Sequence, residues 1–138
     1  ASIADHVEAV MPAFEIIDPR GAHLPSIGAA GLVADRCACE GAVLGDPVAE
    51  WSGLDLATCE AELEWNGEIV DEGVTGAAMG HPLNGLAWVA NHAAERGHQL
   101  RAGDIVLTGA VFAPRPASAG DRFTYRIAGL GEVTAALV

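Results

Sequence analysis

The sequence predicts an α+β protein that is rich in β-strands, with a mixed, rolled sheet and a few flanking helices. Many short runs of apolar or alternating residues are separated by Gly, Pro, Asn and Asp, which is the pattern of short strands joined by turns. Only two segments have a helical pattern, and they do not alternate with the strands. A doubly wound parallel sheet needs that alternation, so the rolled sheet is favoured.

The first third of the chain predicts a capped helix, two strands and a loop. Ser2, followed three residues later by an acidic residue, is typical of a helix N-terminus, and this helix is expected to end near Pro12. Residues 14–17 and 42–44 are short apolar runs that end at Pro-containing turns, and they predict strands. Residues 21–31 are rich in Gly, Ala, Pro and Ser and predict a loop.

The clearest strand pattern lies in the middle of the chain. Between positions 59 and 65, apolar and charged residues alternate with the period of a half-buried strand. Asn66-Gly67 is the pair preferred in a two-residue type I′ turn, and Glu68 begins the return strand. The alternating residues are Cys59, Ala61, Leu63 and Trp65 on one side and Glu60, Glu62 and Glu64 on the other.

One helix and three strands are predicted in the remainder of the chain. Pro82 suits the first position of a helix because the N–H that proline lacks has no helical partner there. This helix is expected to end just before Gly97, its C-terminal cap. The apolar run 105–107 predicts a buried strand, while the alternating residues 123–127 and the run 133–138 predict the last two strands.

The charge of the chain excludes several classes of function. It contains 19 acidic residues and seven basic ones, all of them arginine, for a net charge of −12. Nucleic acids and anionic membranes are bound by basic patches, so we expect neither as a partner. The chain has no lysine, so it cannot supply a lysine Schiff base or a lysine general base.

The sequence predicts neither a membrane span nor an exported protein. No apolar run reaches the roughly 18 to 20 residues that a membrane helix needs. The first ten residues lack the basic cluster of a signal peptide. The three cysteines, an odd number, favour reduced thiols over a disulfide framework. We therefore expect a soluble, cytoplasmic protein whose residues 1–138 form a single domain.

Glu15 is the first candidate for a functional residue. It lies within a predicted strand between Phe14 and Ile16, where a lone carboxylate is costly unless it is paired or bound to a cation. The alternative is that Glu15 occupies the exposed face of an edge strand. The pattern alone leaves both interpretations open.

Two other features of the sequence have simpler interpretations. Glu60 and Glu62 lie two residues apart on one face of a strand, about 7 Å from each other, and such a pair can share a hard divalent cation. Because the opposite face of this strand is apolar, we interpret the glutamates as a solvated face. His81, beside Pro82 at the helix entrance, is interpreted as a helix cap, with anion binding as the alternative.

Several blocks of the sequence resemble one known family. They are residues 65–70 (WNGEIV), 80–91 (GHPLNGLAWVAN) and 103–110 (GDIVLTGA), preceded in the right order by residues 12–20 (PAFEIIDPR) and 33–35 (VAD). They closely resemble the C-terminal half of the 2-hydroxypenta-2,4-dienoate (2-keto-4-pentenoate) hydratases. These enzymes and the 4-oxalocrotonate decarboxylases form one branch of the fumarylacetoacetate hydrolase superfamily.

The resemblance implies both a fold and a chemistry. The implied fold is a fumarylacetoacetate hydrolase-like mixed β-sandwich roll. The implied cofactor is a divalent cation, Mg²⁺ or Mn²⁺, held by three carboxylates, and the third of these falls on Glu15. The cation would bind the carboxylate and 2-oxo oxygens of a 2-oxo acid and stabilise the charge that develops during tautomerisation. A hydratase then adds water to the conjugated alkene, whereas a decarboxylase releases CO₂.

The sequence departs from the family pattern around the site. The Glu-x-Glu ligands and a lysine of family members precede the matched region, and Glu60 and Glu62 do not replace them because they align with the outward strand before the hairpin. After Asp35 the family usually has Asn-Ala-Ser, whereas this chain has residues 36–40, Arg-Cys-Ala-Cys-Glu. The resemblance leaves Asp35 and His81 as catalytic candidates that would support the metal ligand.

The predicted function is that of a metal-dependent hydratase of a 2-hydroxy-2,4-dienoate or 2-oxo-alkenoate in aromatic or related catabolism, with part of its active site outside this chain. The alternatives are an oxalocrotonate-type decarboxylase and a non-catalytic subunit or binding module that keeps the fold. We also expect an oligomer, or a partner polypeptide that supplies the remaining metal ligands. So short a chain with a partial site leaves apolar surface for another subunit to cover.

Overall fold

The computed structural model describes residues 2–21 and 23–138. This part of the chain contains two α-helices, α1 (Leu24–Ala34) and α2 (Pro82–Glu95), and short 3₁₀ helices at Ile3–His6, Arg36–Ala38 and Thr75–Ala77. The strands are β1 (Ala13–Ile17), β2 (Cys39–Leu44), β3 (Glu60–Trp65), β4 (Glu68–Val74), β5 (Arg122–Ile127) and β6 (Gly131–Ala136).

The six strands form two sheets. β1 and β2 make a two-stranded ribbon, and the other strands make a sheet in the order β4-β3-β5-β6. The predicted α+β class with many strands is confirmed. Every pair among these six strands is antiparallel. The parallel pairs that a mixed sheet also contains are not found among them. The reason is the connections: short turns join β3 to β4 and β5 to β6, and a parallel pair needs a longer crossover.

The β3–β4 hairpin forms as predicted. Asn66 and Gly67 have positive φ angles of 53° and 91°, as the two central residues of a type I′ turn require. The Asn66 side chain also holds the turn against the start of β5. Its Nδ2 donates to Asp121 Oδ1 over 2.9 Å, and its Oδ1 accepts from the Arg122 N–H over 2.9 Å. A turn set by local sequence is thereby tied to a strand more than fifty residues away.

The main core lies on one face of the four-stranded sheet. Ala61 and Leu63 of β3 point into it, and the glutamates between them point away, so the predicted alternation is confirmed. β1 packs over this core through Phe14, whose ring lies 6.0 Å from that of Tyr125. Burial raises the pKa of Tyr125 to about 12. The buried cluster comprises Trp51, Leu56, Ala61, Leu63, Phe123, Tyr125, Ile127, Leu130 and Val133.

Helix α2 also agrees with the sequence prediction. It begins at Pro82 and ends before Gly97, whose φ of 73° is the left-handed conformation of a C-terminal cap. Gly85 is buried where the helix meets the backbone of Thr108: a Cβ on Gly85 would lie 2.6 Å from the Thr108 carbonyl oxygen. A glycine in mid-helix therefore permits a close approach between α2 and the segment that follows it.

Two predictions for the first third of the chain are wrong. The capping box at Ser2 is present, but the helix that it begins is the single 3₁₀ turn Ile3–His6. Residues 21–31 were predicted as a loop, yet α1 occupies Leu24–Ala34 with a kink at Gly28. Alanine is the strongest helix former and proline is tolerated in a first turn, so this composition also suits a helix. Ala22 of the predicted loop lies outside the described residues.

The strand predicted at residues 105–107 does not form with the rest of the described chain. This segment is irregular, and Ile105 is 63% exposed although it was expected to be buried. The apolar pattern is that of a strand, but no backbone hydrogen bond joins this segment to another described strand. In the part of the chain that is described, no helix is long and apolar enough to cross a membrane.

Candidate active site

Glu15 lies on the outward face of β1. Phe14 points toward the core, so the alternation of the strand turns the Glu15 side chain to the opposite, exposed face. β1 pairs only with β2 among the named strands, and Glu15 is directly opposite Ala42. Within residues 2–21 and 23–138, no arginine or histidine forms an ion pair with the Glu15 carboxylate. Its oxygen atoms are therefore accessible for a cation from outside the chain.

A β-bulge brings the Cys39 thiol to Glu15. Ile16 pairs with Gly41 but Ile17 pairs with Cys39, so the register skips Glu40. Cys39 consequently takes the place diagonal to Glu15 on the same face. Partial burial and the neighbouring Glu15 carboxylate raise the pKa of the Cys39 thiol. The thiol therefore keeps its proton beside this carboxylate.

Arg20 connects the ends of the ribbon to Asp35. Its Nη1 donates to Asp35 Oδ1 over 2.9 Å, and its Nη2 donates to the Glu40 carboxylate and to the carbonyl oxygen of Cys39. Both carboxylates help to raise the pKa of Arg20, and the hydrogen bond to Glu40 is the largest contribution. Asp35 is therefore engaged in an ion pair and is about one-third exposed.

An unusual backbone turn makes this cluster possible. Residues 36–38 all have positive φ angles, between 53° and 62°, although none of them is glycine. Such residues are strained in the left-handed region, and here the turn is anchored by Ala38, which is fully buried and accepts a hydrogen bond from the Asp18 N–H over 2.9 Å. The turn reverses the chain between Asp35 and β2.

His81 is the N-cap of helix α2. Its Nδ1 accepts a hydrogen bond from the Leu83 N–H over 3.1 Å, which places the imidazole proton on Nε2. The prediction that His81 caps the helix is confirmed. No hydrogen bond or ion pair joins His81 to Glu15 or Asp35 within the described chain.

The two glutamates of β3 are separate from this cluster. Both lie on the outward face of the four-stranded sheet, where Glu60 is exposed and Glu62 is half-buried. Glu62 is directly opposite Arg126 of β5. Arg126 forms its ion pairs with Glu64 at 2.9 Å and with Glu132 at 2.8 Å. The interpretation of these glutamates as a solvated strand face is confirmed.

The described chain does not hold a complete metal site. No group of three or more His, Cys, Asp or Glu side chains among residues 2–21 and 23–138 is arranged to hold a metal ion. Glu15 is a hard oxygen donor of the type that Mg²⁺ prefers, so it fits as one ligand of a shared site. What the chain provides is one carboxylate, next to the protonated Cys39 thiol and on the same ribbon as the cluster of Arg20, Asp35 and Glu40.

Sequence reasoning missed part of this arrangement. Cys39 and Glu40 were considered only as departures from the family pattern, and Arg20 only as part of a matching block. A strand bulge decides which of Cys39 and Glu40 faces Glu15, and a bulge has no reliable signal in a single sequence. The run of charged residues around positions 35–40 was the available signal for an ion-pair cluster.

Comparison with known proteins identifies the family to which this fold belongs. The model of the fumarylacetoacetate (FAA) hydrolase C-terminal family matches residues 2–138. The chain therefore belongs to the FAA hydrolase family, and the resemblance inferred from the sequence blocks is confirmed.

Several curated relatives are enzymes. The 4-oxalocrotonate decarboxylase of Pseudomonas putida is 36% identical over 132 residues, covering 96% of this chain and 50% of that protein. The 2-keto-4-pentenoate hydratase 1 of Dechloromonas aromatica (strain RCB) is 38% identical over 135 residues, covering 98% of this chain and 51% of that protein. The chain thus spans about half the length of the curated relatives that it matches.

A solved structure supports the same assignment. The 4-oxalocrotonate decarboxylase from Pseudomonas putida G7, complexed with magnesium and adipate, superposes with a TM-score of 0.86 at 34% identity. The match covers 99% of this chain and 53% of that one. The same decarboxylase complexed with calcium and acetate gives a TM-score of 0.85. Both similar structures hold a divalent cation.

Proposed function

We propose that this chain is the C-terminal, carboxylate-bearing portion of a divalent-metal-dependent lyase, a hydratase of a 2-hydroxy-2,4-dienoate or related 2-oxo-alkenoate. The observation that carries the proposal is the position of Glu15. Its carboxylate is exposed, has no cationic partner in the described chain and lies on the same face of the ribbon as Cys39. A carboxylate held in this way on a strand suits one ligand of a shared Mg²⁺ or Mn²⁺ site.

The residues around Glu15 have supporting roles in this proposal. A bound divalent cation would supply electrophilic stabilisation of negative charge on the 2-oxo oxygen of the substrate. The Cys39 thiol stays protonated beside Glu15, because partial burial and the carboxylate raise its pKa, and so adds no second negative charge there. Asp35 and Glu40 hold the Arg20 guanidinium at the end of the ribbon by ion pairs, which fixes the segment next to the strand that carries Glu15. These roles concern binding and orientation, and they need no proton transfer by Asp35.

His81 is included as a second catalytic candidate. Because Nδ1 accepts from the Leu83 N–H, Nε2 carries the proton and is the atom that can donate to an oxygen of the substrate. In this proposal His81 acts only after the polypeptide that supplies the other ligands has brought substrate to the entrance of α2. A partner polypeptide or an oligomer is therefore part of the proposal.

A decarboxylase is the alternative function, and a specific comparison favours it. Both similar solved structures are of a 4-oxalocrotonate decarboxylase, and one is complexed with adipate, a dicarboxylate. The two activities differ in the released product. A hydratase consumes the conjugated dienoate without gas release, whereas a decarboxylase acting on a 4-oxalocrotonate-type acid forms CO₂ in proportion to substrate.

Metal binding tests the role of Glu15 once the remaining ligands are supplied. We expect a fusion of the N-terminal half of the Pseudomonas putida 4-oxalocrotonate decarboxylase to this chain to bind Mn²⁺, measured by electron paramagnetic resonance, and Glu15→Gln in that fusion to weaken this binding by about tenfold or more, equivalent to about 1.4 kcal/mol. The matched control is Glu62→Gln, a glutamate on an outward strand face that should leave the affinity unchanged. Equal binding by wild type and Glu15→Gln would refute the role of Glu15. It would favour the alternative in which the chain is a non-catalytic binding module.

The two activities are tested on the protein together with the polypeptide that completes it. Intact-mass spectrometry of the purified protein identifies any polypeptide that accompanies the chain. The preparation is then given a 2-hydroxy-2,4-dienoate and, separately, 4-oxalocrotonate, with dienoate absorbance and released CO₂ as readouts. Loss of the dienoate without CO₂ supports the hydratase, and stoichiometric CO₂ from 4-oxalocrotonate supports the decarboxylase instead.

A further inference from the structure

The segment that follows helix α2 has an unusual backbone. From residue 105 to residue 116, no backbone N–H or carbonyl group forms a hydrogen bond with another backbone group among the described residues. Backbone polar groups normally find partners in strands, helices or turns, and a run of twelve without any is rare in a folded domain. The first part of this run, Ile105-Val106-Leu107, carries a sequence pattern typical of a buried strand.

This segment is nevertheless held in place on one side. The Thr108 carbonyl packs against Gly85 of α2, where there is no room for a side chain. Further along, the ring of Phe112 packs against Gly73 of β4 and lies 5.8 Å from the Tyr125 ring. Arg115 then binds β4, with Nη2 donating to the Val70 carbonyl oxygen over 3.2 Å and to Asp71 over 2.9 Å. The segment is therefore positioned by the fold, although its backbone groups are unpaired.

The outer side of the segment is apolar and open. Ile105 is 63% exposed and Leu107 is 37% exposed, while Val106 and Thr108 between and after them are half-buried. Exposure thus alternates along an extended, apolar stretch, as it does along a strand with one open face, and the unpaired backbone groups leave its edges open as well. Exposed apolar strands with unpaired N–H and carbonyl groups are the sites to which another strand adds.

We propose that residues 105–108 are a docking edge for a β-strand contributed by the polypeptide that corresponds to the other half of the full-length relatives. Two observations favour this occupant. The chain covers only 50% and 51% of the curated relatives, through a C-terminal family model, so those relatives possess a further half that is available to supply such a strand. A second copy of the chain is disfavoured because two molecules of net charge −12 repel each other.

The addition of a strand explains several features at once. It satisfies the unpaired backbone groups, places side chains of the added strand beside Ile105 and Leu107, and turns the strand predicted by the sequence into a paired one. The proposal concerns assembly and stands independently of the metal-binding role of Glu15, since it can be tested without metal or substrate.

Hydrogen exchange of the backbone amides tests the proposal directly. The probe is the N-terminal half of the Pseudomonas putida 4-oxalocrotonate decarboxylase, joined to the start of this chain, and the reference is the 138-residue chain alone. We expect the amides of residues 105–108 to exchange rapidly in the chain alone and on the order of 100-fold more slowly in the fusion. The amides of β5 should be protected in both proteins and report that the fold is intact.

Three results would overturn the proposal. The first is rapid exchange at residues 105–108 in a fusion whose β5 amides remain protected. The second is protection in the chain alone that disappears on dilution, because it would assign the edge to a second copy. The third is protection in the chain alone at every concentration, because it would mean that the edge is already covered.

Proline variants identify the backbone as the recognised feature. Adjacent N–H groups of an extended chain point to opposite sides, so Val106→Pro and Leu107→Pro between them remove a donor from each side. We expect at least one of them to abolish the slow exchange in the fusion, whereas Val106→Thr, which keeps both the N–H and a β-branched side chain, should retain it. Retained protection in both proline variants would contradict strand addition.

A variant of the chain alone keeps the proposal testable if the fusion does not fold. Ile105→Lys places a charge on the outer side of the segment. If the edge is open, the midpoint of urea unfolding of the 138-residue chain should be unchanged, since the side chain is mostly in water. A marked fall in that midpoint would show that Ile105 is already covered within the chain, and the proposal would be wrong.

Discussion

Gly85→Ala probes the contact that positions the segment after α2. A Cβ at this position would lie 2.6 Å from the Thr108 carbonyl oxygen and 3.3 Å from its carbonyl carbon. Ordinary van der Waals contact begins at 3.4 Å, so the Thr108 carbonyl must move by about 0.8 Å. Both contacting atoms are backbone atoms, and no rotation of a side chain can relieve the clash.

Two opposing effects determine the size of the change. Forcing a methyl group into a packed interface costs about 1–3 kcal/mol. Replacing a mid-helix glycine by alanine stabilises the helix by about 0.8–1.0 kcal/mol. We therefore expect Gly85→Ala to lower the free energy of unfolding by about 1 kcal/mol, which for a chain of this size lowers the Tm by roughly 4 °C.

Urea unfolding followed by circular dichroism measures this change. Asn91→Ala is the matched control because Asn91 is an exposed residue of the same helix, and its replacement adds helix propensity without a clash. We expect this control to be stabilised by up to about 0.7 kcal/mol. If Gly85→Ala is also stabilised, by about 0.8 kcal/mol or more, the close approach of α2 to Thr108 does not exist in solution and the reasoning is refuted.

Two further predictions concern the sheet. Leu63 is 6% exposed in the main core, so Leu63→Ala should lower the free energy of unfolding by about 2–5 kcal/mol. The control Ile69→Ala, at a position 55% exposed, should change it by less than about 0.5 kcal/mol. Equal losses of stability in urea unfolding would contradict the assigned core. The hydrogen bond from Asn66 is the largest cause that lowers the pKa of Asp121, followed by the Ser118 N–H. Because the folded pKa is below the unfolded one, this contribution to stability is complete above about pH 4 and is lost as the pH falls through the folded pKa. Wild type should therefore lose more stability than Asp121→Asn between about pH 4 and pH 2.5, and parallel curves would contradict this account.

The site could be predicted from the sequence only in part. The position of Glu15 in an apolar strand drew attention to a carboxylate, and the family blocks suggested its role. The partners of the neighbouring groups could not be predicted. Arg20 meets Asp35 and Glu40 across 15 and 20 residues of chain, and a single sequence contains no signal that pairs such residues. A bulge then decides that Cys39, and not Glu40, faces Glu15.

The sequence alone determined the features that depend on near neighbours in the chain. Asn66-Gly67 specifies a type I′ turn because both residues tolerate positive φ angles, and the period of two around it specifies which face of β3 is buried. Pro82 and Gly97 delimit α2 for equally local reasons, since proline suits the first turn and glycine the left-handed cap.

Only the tertiary structure decided whether a predicted strand has a partner. Residues 105–107 have the composition of a buried strand, but pairing requires a second strand at the right distance, and the described chain offers none. The composition of residues 21–31 was equally compatible with a loop and a helix, and α1 formed. Local propensity fixes backbone preferences over a few residues, whereas strand pairing and ion-pair partners depend on contacts between distant parts of the chain.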